Sequence, residues 1–405
     1  MTYDAVVVGA GPAGSTAAIL LAKAGWSVAI VERSPFPRRK VCGEFVSATN
    51  MPILDELGIG AEFRNAAGPE IRRVGLFARN TITDAPMPEI ASHVDGWGRA
   101  LGRERLDLLL LEQAARLGVR VWQPYRVVQV EGPLGARRCR IVASRDERVL
   151  HGGVVIAAHG SAGFGSLPRP TRGPSRSSDS DLIAFKANFA GCDLPSDLMP
   201  LLAFPGGYGG MVTQDSDQVC LSCCIRRDAL TRCRANGPGR RAGDAVLQHI
   251  QRTASGAREV LRGSERLGVW LASGPIRPGI RRWHPHDDFP VGNAAGEAHP
   301  IIAEGISLAI QSSYSLTRLL VTHQDRLGDW EQIRQLGSGY RRQWKGSFAS
   351  RIHASALFAQ LAVRGEAAFL LAPVLHRYPK ILTLGAAISG KGKMGKSFLS
   401  RPASG

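Results

Sequence analysis

The sequence predicts an α/β fold: a parallel sheet with helices at the N-terminal end, a mixed or antiparallel sheet after it, and a helical region last. Three observations support this order. An apolar run at residues 5–8 leads directly into a glycine-rich turn, alternating apolar residues fill several stretches between 181 and about 270, and helical spacing prevails beyond 329. A chain of 405 residues is long enough for two domains.

The composition is that of a folded globular protein, with 44% apolar and 21% charged residues, which excludes wholesale disorder and a coiled coil. The apolar runs are shorter than a membrane-spanning helix requires, and the N-terminus lacks the basic region of a secretory signal. We therefore expect a cytoplasmic protein. A net charge of +17 permits an anionic partner, but no basic stripe interleaved with aromatic residues appears, so we expect no nucleic acid.

Seven cysteines make an odd count, which argues against a disulfide framework. Cys220, Cys223 and Cys224 include a C-x-x-C spacing, but no second pair of cysteines or histidines lies at zinc spacing. The alternation through residues 219–225 is typical of one face of a strand. We predict reduced thiols and no metal site.

The first thirty-two residues form a complete βαβ pattern. The strand at 5–8 is followed by Gly9-Ala10-Gly11-Pro12-Ala13-Gly14, a helix at 15–24, a second strand at 27–31 and then Glu32. Gly9 and Gly11 let the backbone approach a pyrophosphate, and Gly14 lets the helix pack closely on the strand. The helix start offers unpaired N–H groups to phosphate, and Glu32 would bind the ribose hydroxyls. The pattern predicts a Rossmann-like dinucleotide site and leaves NAD and FAD open.

Later segments extend this domain and add a second one. A connector at 167–180, rich in Pro, Arg and Ser, marks the boundary, and a second glycine turn at 291–296 returns the chain to the first domain. We predict a nucleotide domain over 1–175 and 272–328, a substrate domain over 176–271 and a basic helical region over 329–405. Helices are predicted at 52–57, 101–117, 242–254 and 305–320, and strands at 119–122, 127–130, 140–143, 149–157, 182–189, 209–213, 219–225 and 267–271.

Four motifs in this order resemble the FAD-dependent oxidoreductases of the p-hydroxybenzoate-hydroxylase superfamily, and within it the geranylgeranyl reductase family. They are residues 9–14 with Glu32, Arg103 ahead of Leu106-Asp107, the block 291–296, and Pro300-Ile301-Ile302-Ala303-Glu304-Gly305-Ile306. The resemblance covers about residues 2–313 and favours FAD over NAD. It implies NADPH or NADH as an electron donor and a cofactor site formed by Gly9, Gly11, Pro12, Ala13, Gly14, Glu32, Arg33, Arg103, Val127, Gly292, Asn293, Gly305 and Ile306.

The sequence departs from the family pattern at several positions. Asn293 stands in place of an Asp, and Ala303 in place of a glycine of the flavin-facing loop. Residues 157–161 replace the D-G motif that hydroxylases use for FAD and the nicotinamide donor. The glycine-rich strand at 204–212 lacks the Trp and the second Pro of the reductases. The altered strand weakens the case for polyprenyl reduction in particular, and the missing D-G motif weakens the case for direct reduction by NADPH or NADH.

Four residues are candidates for catalysis. Cys42 and Glu44 belong to a C-G-E element that the resemblance places beside the isoalloxazine, and His299 lies next to the inferred flavin segments. Glu44 and His299 are ionisable groups that could relay a proton. Tyr208 would face the flavin if the sheet lies as in the family. Each has a structural alternative: Cys42 as a packing residue, and the glycines around Tyr208 as bulges.

The predicted function is FAD-dependent oxidation or reduction of a hydrophobic small molecule, such as a phenolic, polyketide or isoprenoid compound. We favour oxygenation through a flavin hydroperoxide, with hydride reduction of a C=C bond as the alternative; a non-catalytic FAD-binding sensor is a third hypothesis. Halogenation lacks the expected W-x-W-x-I-P element. The basic C-terminal segment, with apolar residues at 369–371 and 381–382, is compatible with peripheral contact with an anionic membrane and equally with a solvated tail.

Overall fold

A computed structural model describes residues 1–90, 96–161, 177–235, 241–283 and 288–391. The strands in these ranges are β1 (Thr2–Val8), β2 (Val28–Val31), β3 (Phe45–Val46), β4 (Arg73–Ala78), β5 (Thr81–Pro86), β6 (Arg99–Ala100), β7 (Arg120–Trp122), β8 (Arg126–Glu131), β9 (Arg137–Ala143), β10 (Asp146–Ala157), β11 (Leu182–Ala190), β12 (Leu198–Phe204), β13 (Gly207–Thr213), β14 (Val219–Arg226), β15 (Glu265–Ile276), β16 (Gly279–Ile280), β17 (Phe289–Pro290) and β18 (Gly296–Glu297). The helices are α1 (Pro12–Lys23), α2 (Met51–Leu57), α3 (Gly60–Ala66), α4 (Arg103–Arg116), α5 (Arg227–Ala235), α6 (Ala242–Thr253), α7 (Ser255–Val260), α8 (Gly305–Thr322), α9 (Trp330–Val363), α10 (Gly365–Arg377) and α11 (Lys380–Ala386).

The first sheet has the order β7-β2-β1-β10-β9-β8, with β17 paired to β10. Strand β1 lies between β2 and β10 and is parallel to both, while β8, β9 and β10 form an antiparallel extension. The apolar run at residues 5–8 is buried, as a strand covered on both faces requires. Helices α4 and α8 pack on α1. The α/β fold class and the first βαβ unit are therefore confirmed.

The second sheet has the order β15-β11-β14-β13-β12-β4-β5. It is mixed, because β4 pairs in parallel with β12 whereas the other neighbours are antiparallel. Residues 1–175 were predicted to belong wholly to the nucleotide domain. Strands β4 and β5 lie within this range but belong to the second sheet, so the predicted domain boundary does not separate the two sheets. The pairing of β4 with β12 joins segments about 120 residues apart in the sequence, and no local sequence pattern predicts it.

Two further details differ from the expectations. Residues 204–212 form a hairpin rather than one strand: β12 ends at Phe204, Gly206 turns the chain with φ of +81°, and β13 begins at Gly207. Helices α5 and α7 flank α6, where one helix was expected. The connector at 167–180 lies mostly outside the described residues, as do residues 392–405 of the C-terminal region.

The C-terminal region is helical, as predicted, and covers both sheets. Helix α9 packs on α8, β12 and β13, whereas α10 and α11 lie over β4 and β5. Tyr340 ties α9 to the first sheet, since its buried hydroxyl donates to the Pro290 carbonyl at 2.9 Å. Trp283 and Trp344 fill the space around it. Among the helices of the described ranges, none combines the length and apolarity needed to cross a membrane.

Candidate functional site

The first glycine turn brings three pieces of backbone into contact. A Cβ on Gly14 would lie 1.8 Å from the Gly9 carbonyl oxygen, and a Cβ on Gly9 would lie 2.5 Å from that of Ala158. Gly9 also adopts φ of +109°, which favours glycine. These contacts set α1 directly behind the turn, and no side chain caps its start at Gly11. The N-terminus of α1 thus presents backbone N–H groups to an anion.

Two arginines converge on the same point. A Cβ on Gly11 would lie 3.8 Å from a guanidinium nitrogen of both Arg38 and Arg103. Asp107 holds Arg103 through two hydrogen bonds of 2.7 and 2.8 Å. Burial would lower the pKa of Arg103, but Asp107 raises it overall, so the cation is retained. Two guanidinium groups beside a helix start fit the charge of a pyrophosphate.

Glu32 closes the second strand of the βαβ unit and is buried. Its Oε2 accepts the Ala10 N–H at 2.9 Å, while Oε1 accepts the Ser34 N–H at 2.9 Å and the Arg38 guanidinium at 2.7 Å. A carboxylate oxygen accepts two hydrogen bonds, so Oε2 can take one more donor. A ribose hydroxyl fits there.

The second glycine turn meets the first one from the opposite side. Gly292 has φ of +56°, and a Cβ on it would lie 3.1 Å from the Ala13 side chain of α1. Its N–H donates to Ser312 of α8 at 2.8 Å. Ala303, which stands where the family has glycine, adopts φ of +51°. That conformation is the one a glycine would favour, so the loop geometry survives the substitution at a cost of about 1 kcal/mol.

One cavity of about 560 Å³ extends between the two sheets from these glycine turns. All of the cofactor residues predicted from the sequence line it except Gly14, which lies beneath the turn. Cys42 and Glu44 line it as well. The wall on the second sheet is mainly apolar or glycine, with Ser222 and Ser273 as its hydroxyl groups. Its residues on β12 and β13 are Met199, Leu201, Gly209, Gly210, Met211 and Val212.

Glu44 is the centre of a buried polar cluster at the wall of the cavity. Its carboxylate accepts hydrogen bonds from Lys186, Gln214 and, at 2.9 Å, the Arg103 N–H. Burial would lower the pKa of Lys186, but neighbouring Cys220 and Glu44 raise it overall, so the ammonium is retained. Glu44 adopts φ of +64°, a left-handed conformation that costs a non-glycine residue about 1 to 2 kcal/mol. The contacts of its carboxylate hold it in this conformation.

Tyr208 and His299 contact each other rather than the cavity. The two lie outside the described residues that line it, although Gly209, Ala298 and Pro300 do line it. The Tyr208 hydroxyl lies 3.1 Å from His299 Nδ1. Burial lowers the pKa of His299 to about 4 and raises that of Tyr208. The imidazole is therefore neutral near pH 7, and the hydrogen-bonded pair is positioned behind the wall.

A second buried ion pair lies at another part of the wall. Arg281 donates to Glu297 at 2.9 Å, and Ser161 donates to the same carboxylate oxygen at 3.0 Å. Asn293 in turn donates to Ser161 at 3.1 Å, so its carbonyl end is the part that can accept from a ligand. Burial raises the pKa of Glu297 against the opposing effect of Arg281.

Sequence reasoning missed several of these groups. Arg38 was part of a basic run whose role was not assigned; its position six residues after Glu32 was the available signal. No sequence pattern indicated that Lys186 and Gln214 belong to the site, since a single lysine or glutamine in or next to a strand is usually solvent-exposed. His159, for which no role was predicted, lies in the wall of the cavity beside Ala158 and Gly160.

A βαβ glycine turn, a second glycine turn against the same helix, and a second sheet facing both across one cavity define a dinucleotide-dependent flavoenzyme. The chain belongs to the FAD binding domain family, whose profile matches residues 2–326. This match supports an FAD-dependent oxidoreductase, and the resemblance to the p-hydroxybenzoate-hydroxylase superfamily is confirmed. The residues of the cavity fit FAD in charge and in backbone clearance.

Solved structures with the same fold cover nearly the whole chain. The flavin-dependent brominase Bmp2 matches with a TM-score of 0.76 and 19% identity over 96% of this chain and 94% of its own. A geranylgeranyl bacteriochlorophyll reductase-like protein of Thermoplasma acidophilum matches with a TM-score of 0.69 and 20% identity over 98% and 95%. PqsL of Pseudomonas aeruginosa, described as a "probable FAD-dependent monooxygenase", matches with a TM-score of 0.70 and 18% identity over 91% and 98%.

Curated relatives match over a shorter segment. The menaquinone reductase of Mycobacterium tuberculosis is 34% identical over 127 residues, which is 31% of this chain and 30% of the relative. A 1H-pyrrole-2-carbonyl-[peptidyl-carrier protein] chlorinase of Pseudomonas fluorescens is 32% identical over 154 residues, 32% of each protein. The matched segment thus spans about a third of these relatives.

Replacing Gly11 by Ala tests the cofactor cradle. A Cβ there meets no protein atom closer than 3.8 Å, so we expect the variant to fold, yet the methyl group projects where the pyrophosphate approaches. FAD affinity, measured by flavin fluorescence titration of the apoprotein, should fall about tenfold or more. Gly346→Ala, at an open position of α9, is the matched control. Equal affinities for the two variants would contradict this placement of the cofactor.

His299 makes the folded protein sensitive to acid. Its folded pKa of about 4 lies below the unfolded value near 6.5, so the unfolded chain binds more protons between these limits and stability is lost as pH falls through them. Between pH 7 and pH 5 we expect the wild type to lose about 1 to 2 kcal/mol more stability than His299→Gln. Urea unfolding at both pH values measures this, with exposed His353→Gln as control. An unchanged pH dependence in His299→Gln would refute it.

Proposed function

We propose that this protein oxygenates a hydrophobic small molecule, such as a phenolic, polyketide or isoprenoid compound, using NADPH or NADH as the electron donor. The observation that carries the proposal is the mainly apolar wall of the second sheet, which faces the cofactor cradle across the cavity, with the buried carboxylate of Glu44 at its edge. An apolar cavity with few polar groups is typical of a small-molecule site.

When bound, FAD supplies the redox chemistry, and the protein supplies orientation, charge and exclusion of water. Met199 and Met211 shield the reacting region from solvent, and the absence of side chains at Gly209 and Gly210 leaves room for a planar substrate. Glu44 Oε2 receives one hydrogen bond, from Gln214, and has capacity for a second, so it can accept a substrate hydroxyl and orient it. Lys186 holds that carboxylate in place.

Oxygenation requires that one atom of O₂ enters the product while the other leaves as water, with two electrons from the nicotinamide. The solved structures with this fold include proteins named as halogenases and as a monooxygenase, which supports a reaction with oxygen. Turnover of candidate phenols under ¹⁸O₂ tests the proposal by mass spectrometry. We expect one labelled oxygen in the product and oxygen uptake equal to substrate consumed. Product formed from reduced enzyme without O₂ would overturn it.

Hydride reduction of a C=C bond is the second candidate, and Cys42 is the observation that favours it. Its thiol lines the cavity, and its sulfur lies 3.3 Å from the Glu44 N–H, within reach of the same region of the cofactor site. In such a reaction FAD, when bound and reduced, would supply a hydride to one carbon, and the Cys42 thiol would supply the proton to the other. The relatives named menaquinone reductase and geranylgeranyl bacteriochlorophyll reductase-like protein agree with this candidate. Anaerobic product formation distinguishes it from oxygenation.

The pair of Glu44 and Lys186 can be tested by a double-variant cycle. Lys186→Met alone leaves a buried carboxylate uncompensated and should cost about 3 to 5 kcal/mol of stability, whereas adding Glu44→Gln removes the charge and restores most of it. If Glu44 orients or deprotonates the substrate, the double variant should retain FAD but lose about a hundredfold in kcat. Lys186→Arg, which keeps the charge, is the control. A double variant with wild-type turnover would exclude Glu44 from the chemistry.

A further inference from the structure

Exposed apolar side chains are concentrated in the C-terminal segment 371–388. Twelve large apolar side chains are exposed in the described ranges, and six of them lie within these 18 residues. Their spacing of three or four residues follows the outer sides of α10 and α11. We call this set the apolar stripe; each member exposes between 38 and 59% of its surface, and its residues are Leu371, Val374, Tyr378, Ile381, Leu384 and Ile388.

The opposite side of the same segment is packed against the protein. Both α10 and α11 lie over β4 and β5, so their outer sides share one side of the molecule. Thr383 donates to the Pro86 carbonyl at 2.7 Å, Ala372 and Ala386 are buried, and buried Lys391 pairs with Glu304 at 3.0 Å. The apolar stripe is therefore presented outward by a docked segment.

The charged side chains between the members of the apolar stripe are basic, and no acidic residue lies within 371–388. His376, Arg377 and Lys380 are exposed between its members. Residues 332–405 contain twelve Lys and Arg against one acidic residue, Glu366, and thus carry most of the net charge of +17. A surface with this charge repels a second copy of itself and attracts an anionic one. Large apolar side chains flanked by basic ones are the pattern of helices that lie in a lipid interface.

We propose that the apolar stripe docks on the surface of an anionic lipid bilayer, with the six side chains inserted at the boundary of headgroups and acyl chains and with Arg377 and Lys380 among the anionic headgroups. The surface lies apart from the cavity, so this proposal goes beyond the proposed function. Binding to vesicles is measured without turnover and can therefore fail or succeed independently of the chemistry.

Flotation of the full-length holoprotein with vesicles tests the proposal. Vesicles of phosphatidylglycerol and phosphatidylcholine should bind it, and those of phosphatidylcholine alone should bind at least about tenfold less. Leu384→Glu with Ile388→Glu, and separately Arg377→Glu with Lys380→Glu, should each reduce partitioning at least about tenfold. Added salt should weaken the binding.

The controls are exposed residues elsewhere. Val269→Glu on β15, at 59% exposure, matches the apolar changes, and Arg262→Glu matches the charge changes. Both should bind as the wild type does, and the FAD absorbance of every variant should be unchanged. Equal binding to both vesicle types, or wild-type partitioning of the Glu variants, would overturn the proposal. So would a dimer in analytical ultracentrifugation that Leu384→Glu with Ile388→Glu disrupts.

Discussion

The close backbone contact at the first glycine turn is the constraint on which the site depends. Gly14 must approach the Gly9 carbonyl more closely than any side chain permits, and Gly9 must approach Ala158 at the end of β10. These two close backbone contacts place the N-terminus of α1 at the cavity. Gly292 then packs on Ala13 of the same helix, which brings the start of α8 to the opposite side. Two helix starts thereby face one space, and their partial positive charges favour an anionic ligand.

Several charges in the cavity wall are balanced by a buried partner. At the cradle, Arg103 is held by Asp107 and Arg38 by Glu32, so two cations persist in a position where burial alone disfavours them. On the opposite side of the cavity the signs of the charges are reversed. The anionic residue Glu44 lines the cavity there, and its cationic partner Lys186 lies behind it. This pair also joins the two halves of the molecule, since Lys186 belongs to the second sheet. Separating the two halves would leave a charge either exposed to solvent or buried without its partner, so the ion pair stabilises the alignment of the halves.

The sequence was informative wherever the signal was local. The strand, glycine turn and helix at the N-terminus follow from spacing within thirty residues, and every cofactor residue named from that signal lies in or beneath the cavity wall. Features that depend on distant pairing were not predictable: β4 joins β12 across about 120 residues. Tyr208 illustrates the same limit, because the turn at Gly206 decides which side of the sheet each hairpin residue faces. The partners of Glu44 belong to this class too.

The contact between Lys391 and Glu304 explains how the C-terminal segment stays docked. Glu304 is the N-cap residue of α8, where the positive end of the helix dipole already favours a carboxylate. A buried lysine at that end is disfavoured by the same dipole, so Lys391 depends on Glu304 and on the Ile302 carbonyl for its stability. The dependence is mutual, because the carboxylate of Glu304 is buried as well and loses its ion-pair partner if Lys391 is removed. The outward position of the apolar stripe thus rests on a residue adjoining Gly305 in the wall of the cofactor site.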